Sequence, residues 1–207
     1  MEYFLPDLDL LNSNIDFDYK VWQPNDKFIV LGRSDNIDNS VIVENAQKLN
    51  LRIIKRPSGG HSVVLTPKTI VVSMVFKYNK QRPVDIFLIA NRLIISCLEL
   101  LGVENVNQKG ISDICIGDRK IVGSSIYKKP DKYFYHAVIN YAQNTDIFEQ
   151  LLKHPSTEPS YRQGRSHKDF VTSLVENNFK YSIDEFINNL NLILEKYKTQ
   201  IYEKNMG

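Results

Sequence analysis

The chain has 207 residues, of which 43% are hydrophobic, 11% aromatic and 24% charged, as in an ordinary globular domain. Its 26 basic residues nearly balance its 24 acidic ones, which argues against a nucleic-acid partner bound through a strongly basic surface. With only two cysteines, a disulfide framework is not expected, and the first residues lack the character of a signal peptide. No apolar run is long enough to span a membrane. These features predict one cytoplasmic domain over residues 1–207, with no membrane partner.

The first half of the chain is predicted to form short strands, because β-branched and aromatic runs alternate with turn residues. These strands are Tyr19–Trp22, Phe28–Leu31, Arg52–Lys55, Ser62–Leu65 and Thr69–Phe76. A short helix is expected over 38–49. A longer helix should begin at Pro83 and end near Leu101, before Gly102.

The second half returns to strands between residues 111 and 141 and then becomes helical. Gly117-Asp118 is typical of a two-residue hairpin turn, and a further strand is predicted over 133–141. Capping patterns that start at Ser166 and Ser182 predict two final helices. Many strands with few helices indicate an α+β domain with a mixed, mostly antiparallel sheet.

Residues 55–62 (KRPSGGHS) place two glycines between two predicted strands. Gly59 and Gly60 allow the backbone to approach a ligand closely, and successive N–H groups in such a turn can bind an anion. Arg56 supplies a planar guanidinium for a carboxylate or phosphate. An ordinary hairpin turn with a surface arginine explains the pattern equally well.

A second candidate site lies in the predicted hairpin around Gly117. If Ile116 faces Arg119 and Asp113 faces Val122, one face of the hairpin carries a lysine, a thiol and a carboxylate. The residues expected on this face are Asp113, Cys115, Lys120, Val122 and Ser124. The opposite face is at least as apolar, so the pattern leaves open whether Lys120 lies in a site or in solvent.

The four histidines are sparse, and none has the spacing to Cys or acidic residues that a metal site requires. His61, within the glycine turn, is the better candidate for a ligand contact. His136 alternates with apolar residues along its strand, so a hydrogen-bonded core position is expected. The basic segment 161–168 (YRQGRSHK) could bind phosphate, but a solvated loop before a capped helix is the favoured interpretation.

Four segments together resemble the biotin/lipoate protein ligase catalytic-domain family, closest to lipoate–protein ligase A. They are FIVLGRSDNID at 28–38, KRPSGGHSVVL at 55–65, SDICIGDRKIVGSS at 112–125 and YFYHAVINY at 133–141. Their order and spacing match the family over roughly residues 20–150, and the last two helices are resembled only weakly.

The resemblance implies a fold like that of biotin synthetases and class II tRNA synthetases. It also implies attachment of lipoate or octanoate, through lipoyl-AMP made with ATP and Mg, to a lysine of an apo lipoyl domain or glycine-cleavage H protein. Lys120 would be the catalytic residue, stabilising the developing oxyanion. The residues implied in substrate binding are Arg56, Ser58, Gly59, Gly60, His61, Asp113, Gly123, Ser124 and His136.

Two alternatives remain open within this resemblance. Cys115 beside Lys120 could be the nucleophile of an octanoyl or lipoyl amidotransferase that uses no ATP. A non-catalytic lipoate-binding relative is the other alternative. Because residues 1–207 are expected to hold only the catalytic domain, without an accessory C-terminal domain, a separate accessory subunit or an already activated acyl group is expected.

Overall fold

The computed structural model describes residues 3–77 and 80–206, which form two sheets with helices on their outer faces. The strands are β1 Phe17–Trp22, β2 Phe28–Leu31, β3 Arg52–Lys55, β4 Val63–Leu65, β5 Thr69–Lys77, β6 Val106–Lys109, β7 Asp113–Ile116, β8 Arg119–Lys128 and β9 Lys132–Asn140. The α-helices are α1 Leu8–Asn12, α2 Ile37–Ser40, α3 Val43–Lys48, α4 Pro83–Leu100, α5 Asp146–Leu151, α6 His167–Phe170 and α7 Ile183–Met206. None of the helices in these ranges is long and apolar enough to cross a lipid bilayer.

The large sheet has the strand order β1-β5-β9-β8-β7-β6, and all its neighbouring strands are antiparallel. The small sheet has the order β3-β2-β4, in which β2 and β3 are parallel and β2 and β4 antiparallel. The predicted α+β class with a mixed, mostly antiparallel sheet is therefore confirmed.

The layers follow from the alternation of side chains along the central strands. On β5, Val72 and Met74 face a core made with the apolar sides of α4 and α7. The intervening Val71 packs instead against Val30 and Leu65 of the small sheet. The outer face of the small sheet is covered by α3 and α5. The space between the two sheets is therefore the middle of the molecule.

Three local predictions differ from the structure. The helix expected over 38–49 is divided into α2 and α3, because the buried Val41 is extended and pairs with Leu152. The helix expected after Ser166 ends at Phe170, since Val171 forms a bridge with Lys120. Strand β6 was not predicted at all. The cap of α7 is confirmed, with Ser182 and Glu185 bonded to each other.

The turn after β3 lies directly against the end of β2. A Cβ atom on Gly32 would lie 1.8 Å from the carbonyl oxygen of Gly60, so only glycine fits there. Gly60 itself has a φ of +83°, a conformation that L-residues rarely adopt. Arg33 N–H donates to the Ser58 carbonyl at 2.8 Å and ties the same turn to this strand end.

We expect Gly32→Ala to lower the free energy of unfolding by about 1–3 kcal/mol, because the added methyl group pushes the backbone of Gly60 away. Urea unfolding followed by circular dichroism measures the change. The matched control is Gly59→Ala, whose Cβ would meet nothing within 4 Å. Equal destabilisation by the two substitutions would contradict the close approach.

Candidate active site

A cavity of about 340 Å³ lies between the two sheets. The floor of the cavity is part of the large sheet. One residue from each of four neighbouring strands forms a row across this floor, and each of these residues is apolar or a glycine. The row consists of Gly123, Val138, Val71 and Trp22. A neighbouring row, Ser125 and His136, is polar, so the cavity has an apolar centre with polar sides.

Lys120 lies at the β8 end of the apolar row, and its charge is balanced by one carboxylate. Its Nζ is 2.8 Å from Oδ1 of Asp113, and the two side chains are 27% and 8% exposed. Tyr161 donates its hydroxyl proton to Oδ2 of Asp113 at 2.7 Å. Burial, together with the charge of Asp113, raises the pKa of Tyr161, so it remains a donor. Both carboxylate oxygens of Asp113 are therefore engaged, and the lysine is fixed in one orientation.

A β-bulge in the hairpin corrects the predicted register. The pairing of Cys115 with Lys120 is confirmed, but Asp113 pairs with Gly123 and not with Val122. The extra residue on β8 reverses the faces beyond it. Val122 is consequently buried in the core beneath α4. The hydroxyl of Ser124 donates to the Ser112 carbonyl at 2.7 Å, although Ser124 still lines the cavity. The prediction that Val122 and Ser124 share the face of Lys120 is wrong.

Gly123 allows the lysine to lie flat on the sheet. A Cβ atom at this position would lie 2.8 Å from both Cε and Nζ of Lys120, which is closer than real Cβ contacts. The ammonium thus occupies the space that a side chain would fill, directly above the apolar row. The position of the Lys120 side chain therefore depends on a glycine at residue 123.

Cys115 is next to Lys120, as its predicted pairing required, but the thiol is buried. Burial raises the pKa of Cys115, which more than offsets the nearby positive charges of Lys120 and Lys109. The thiol donates to the Tyr161 hydroxyl at 3.6 Å. A buried, protonated thiol is a poor nucleophile, so this environment disfavours a covalent role.

Arg56 organises the glycine turn from within. Its side chain is buried, with Nε donating to the Ser58 hydroxyl at 3.0 Å. Nη2 donates to the carbonyls of Gly59 and His61 at 2.7 and 2.8 Å. These bonds hold the turn over the cavity, and ligand binding by Arg56 itself stays a prediction. The imidazole of His61 is exposed, with Nε2 3.1 Å from the Thr157 hydroxyl.

His136 is a buried, neutral histidine in a hydrogen-bonded group, as the sequence suggested, and it also lines the cavity. Its Nε2 is hydrogen-bonded to the Ser58 hydroxyl, which is 2.9 Å from that of Ser125. Burial and the charge of Arg56 lower the pKa of His136 to about 3. This group joins the glycine turn to the floor of the cavity.

The segment after α5 contributes more to the cavity than the sequence analysis predicted. Arg162 is buried against the ring of Phe170 and lines the cavity, as does Lys153. Backbone N–H of Thr172 donates to the Lys120 carbonyl at 2.9 Å, which holds this segment beside the lysine. The aromatic residues Tyr161 and Phe170 on either side of the arginines could have indicated a buried segment. The basic character of the segment, taken alone, favoured a solvated loop.

The cavity is electropositive. Its lining contains five lysine and arginine side chains but only two carboxylates. The cations are Arg56, Lys109, Lys120, Lys153 and Arg162, and the acids are Asp7 and Asp113. An apolar centre within a cationic rim is suited to a ligand that carries both an alkyl chain and a negative group.

The model of the lipoyl protein ligase A/B catalytic domain family matches residues 13–194. No curated protein matches the sequence.

Solved structures share the fold at low sequence identity. A bipartite lipoate protein ligase of Thermoplasma acidophilum, solved in a study with its E2 lipoyl domain, aligns over 88% of this chain and 71% of its own, with TM-score 0.76 and 19% identity. A lipoate-protein ligase A bound with ATP aligns over 88% and 73%, with TM-score 0.75 and 19% identity. Plasmodium falciparum LipL1 in complex with lipoate aligns over 93% and 49%, with TM-score 0.68 and 19% identity.

We expect the buried His136 to make the protein less stable as the pH falls. The unfolded chain takes up a proton near the ordinary pKa of 6.5, whereas the folded chain does so only near 3. The free energy of unfolding is therefore unaffected by this group above pH ~6.5 and falls on acidification, by about 2 kcal/mol at pH 5. His136→Gln should reduce this loss, as measured by urea unfolding at pH 7 and pH 5.

The matched control for this prediction is His61→Gln, because the side chain of His61 is exposed. Burial also lowers the pKa of His167, to about 4, but His167 is present in every variant and cancels in the comparison. An identical pH dependence in wild type and His136→Gln would show that the buried imidazole is not responsible.

Proposed function

We propose, because this chain belongs to the lipoyl protein ligase A/B catalytic domain family, that it attaches a lipoyl or octanoyl group to a lysine of an apo lipoyl domain. The observation that carries the proposal is the ammonium of Lys120, held by Asp113 above the apolar floor of the cavity. The H protein of glycine cleavage is an alternative acceptor of the same kind.

The acyl chain would lie along the apolar row, with its carbonyl at the Lys120 end. Val138 and Val71 form the middle of this row, and the small sheet with Val30 lies above it. An extended alkyl chain gains free energy by leaving water for such a surface, at about 25 cal/mol per Å². None of the four residues of this row carries a charge, and the charged Asp113 pairs with Gly123 only beyond its β8 end.

The chemistry of Lys120 follows from its position. When the amine of the acceptor lysine attacks the acyl carbonyl carbon, negative charge develops on the carbonyl oxygen. A preorganised ammonium stabilises that negative charge, and the ion pair with Asp113 keeps the ammonium directed at the carbonyl oxygen. A new C–N bond forms, the bond between the carbonyl carbon and the phosphate oxygen of AMP breaks, and AMP leaves with the electron pair. The attacking amine loses one proton to solvent.

ATP would activate the acyl group as an adenylate. The cationic rim fits a phosphate, and Lys120, Lys153 and Arg162 would hold it. No three His, Cys, Asp or Glu side chains of the described residues lie close enough to hold a metal ion, and Asp113 is already engaged. Mg would therefore arrive with the nucleotide, and no step here depends on it.

A second chain would assist the activation step. The Thermoplasma acidophilum relative is described as a bipartite lipoate protein ligase, which supports this proposal. Transfer from preformed lipoyl-AMP should need no such help, because the cavity proposed to hold the acyl group is lined by residues of this chain.

We expect Lys120→Ala to lower the transfer rate at least ~100-fold, because the stabilising charge is lost. The purified protein is incubated with apo lipoyl domain and preformed lipoyl-AMP. The intact mass of the acceptor then measures the lipoyl group that has been added. Thermal unfolding of the variant establishes that it is folded.

Cys115→Ala is the discriminating variant in the same assay. We expect it to keep the wild-type rate with lipoyl-AMP, because the buried thiol takes no part. If Cys115→Ala alone abolished transfer from octanoyl-carrier protein, the amidotransferase route would be supported instead. A Lys120→Ala protein that transfers at the wild-type rate would overturn the proposed mechanism.

A further inference from the structure

The apolar row ends at an edge of the sheet. Gly123 pairs with Val138, Val138 with Val71, and Val71 with Trp22 on β1, the edge strand. Lys120 lies above the first member of this row. An acyl chain whose carbonyl group lies at Lys120 would therefore cross the sheet perpendicular to its strands and reach Trp22.

The length of this row limits the acyl chain. Neighbouring strands lie about 4.8 Å apart, so the three steps from Gly123 to Trp22 span about 14 Å. Carbon–carbon bonds of about 1.5 Å advance a zigzag chain by roughly 1.3 Å per carbon. Allowing about 3–4 Å for van der Waals contact at the two ends, about eight carbons fit.

A wall closes the far end of the row. Tyr3, Leu5 and Asp7 line the cavity, although they precede the first helix. Leu5 is only 6% exposed and packs in one cluster with Trp22 and Val71, the last two members of the row. The N-terminal segment thus occupies the space into which a longer chain would extend.

Polar bonds hold this wall in place. Asp7 is fully buried and accepts hydrogen bonds from the hydroxyls of Tyr3, at 2.6 Å, and Ser73. Lys20 donates to the Pro6 carbonyl at 2.6 Å. Chain termini are usually frayed unless they are tied down in this way, so the segment is a fixed boundary.

We propose that residues 3–7 form the end wall of the acyl cavity and set the longest acyl chain that the protein accepts. This inference rests on the proposed function and goes beyond it by naming the residues that limit the length of the acyl chain. Unbranched chains of about eight carbons, including the lipoyl chain, fit before the wall, and longer ones meet Leu5.

Leu5→Ala should extend the cavity, and Leu5→Phe should shorten it. Rates of transfer from preformed acyl-adenylates with six to twelve carbons are measured for each protein, again by acceptor mass. We expect Leu5→Ala to raise the rate for the ten-carbon chain relative to the eight-carbon chain by roughly tenfold or more. Leu5→Phe should move the preference towards six carbons.

The matched control is Leu10→Ala in α1, which follows the wall directly in the chain. Leu10 packs against Val75 and Phe134, and none of the three lines the cavity. This substitution should lower stability but leave the chain-length preference unchanged. A preference that shifted equally in Leu10→Ala would show that general loosening is responsible, which overturns the inference.

Binding of free fatty acids, measured by calorimetry on the same proteins, separates the two proposals. Unchanged chain-length preferences in both Leu5 variants, with normal transfer, would overturn the end wall alone. A wild-type protein that neither binds an acid nor transfers an acyl group would overturn the proposed function and the end wall together.

Discussion

The architecture of the site depends on the contact between Lys120 and Gly123. A lysine can lie flat on a β-sheet only where the neighbouring strand position has no side chain, and the bulge in β8 brings Gly123 to that position. Asp113 then pairs with the ammonium, and Tyr161 fixes the carboxylate from its other side. One extra residue in a hairpin thus converts a surface lysine into a fixed charge at one end of a cavity.

The second constraint is the buried guanidinium of Arg56, which holds the glycine turn as a roof. Its Nε and Nη2 donate to hydroxyl and carbonyl oxygens of the turn, and its Nη1 donates to the Val30 carbonyl of β2. The turn is thereby tied to the small sheet above the apolar row. The network from Ser58 to His136 then joins roof and floor. The cavity therefore lies between two sheets that are joined by polar bonds at one side, while its centre remains apolar.

Local patterns were sufficient to predict most elements, the α+β class and the pairing of Cys115 with Lys120. They were insufficient wherever a distant contact decided the outcome. The bulge beside Ile114 cannot be recognised from alternation, and it reversed the predicted faces of Val122 and Ser124. Likewise, nothing local indicated that Leu5 would reach the cavity, because its partners Trp22 and Val71 follow much later in the chain.

We propose that the position of the Lys120 ammonium, and not only its charge, supports acyl transfer. Gly123→Ala keeps every charged group and adds a methyl group that meets only Cε and Nζ of Lys120, so the ammonium must move. The decisive measurement is its rate of lipoyl transfer from preformed lipoyl-AMP. We predict a loss of about 100-fold, with a melting temperature within about 2 °C of wild type. An unchanged rate would contradict the account.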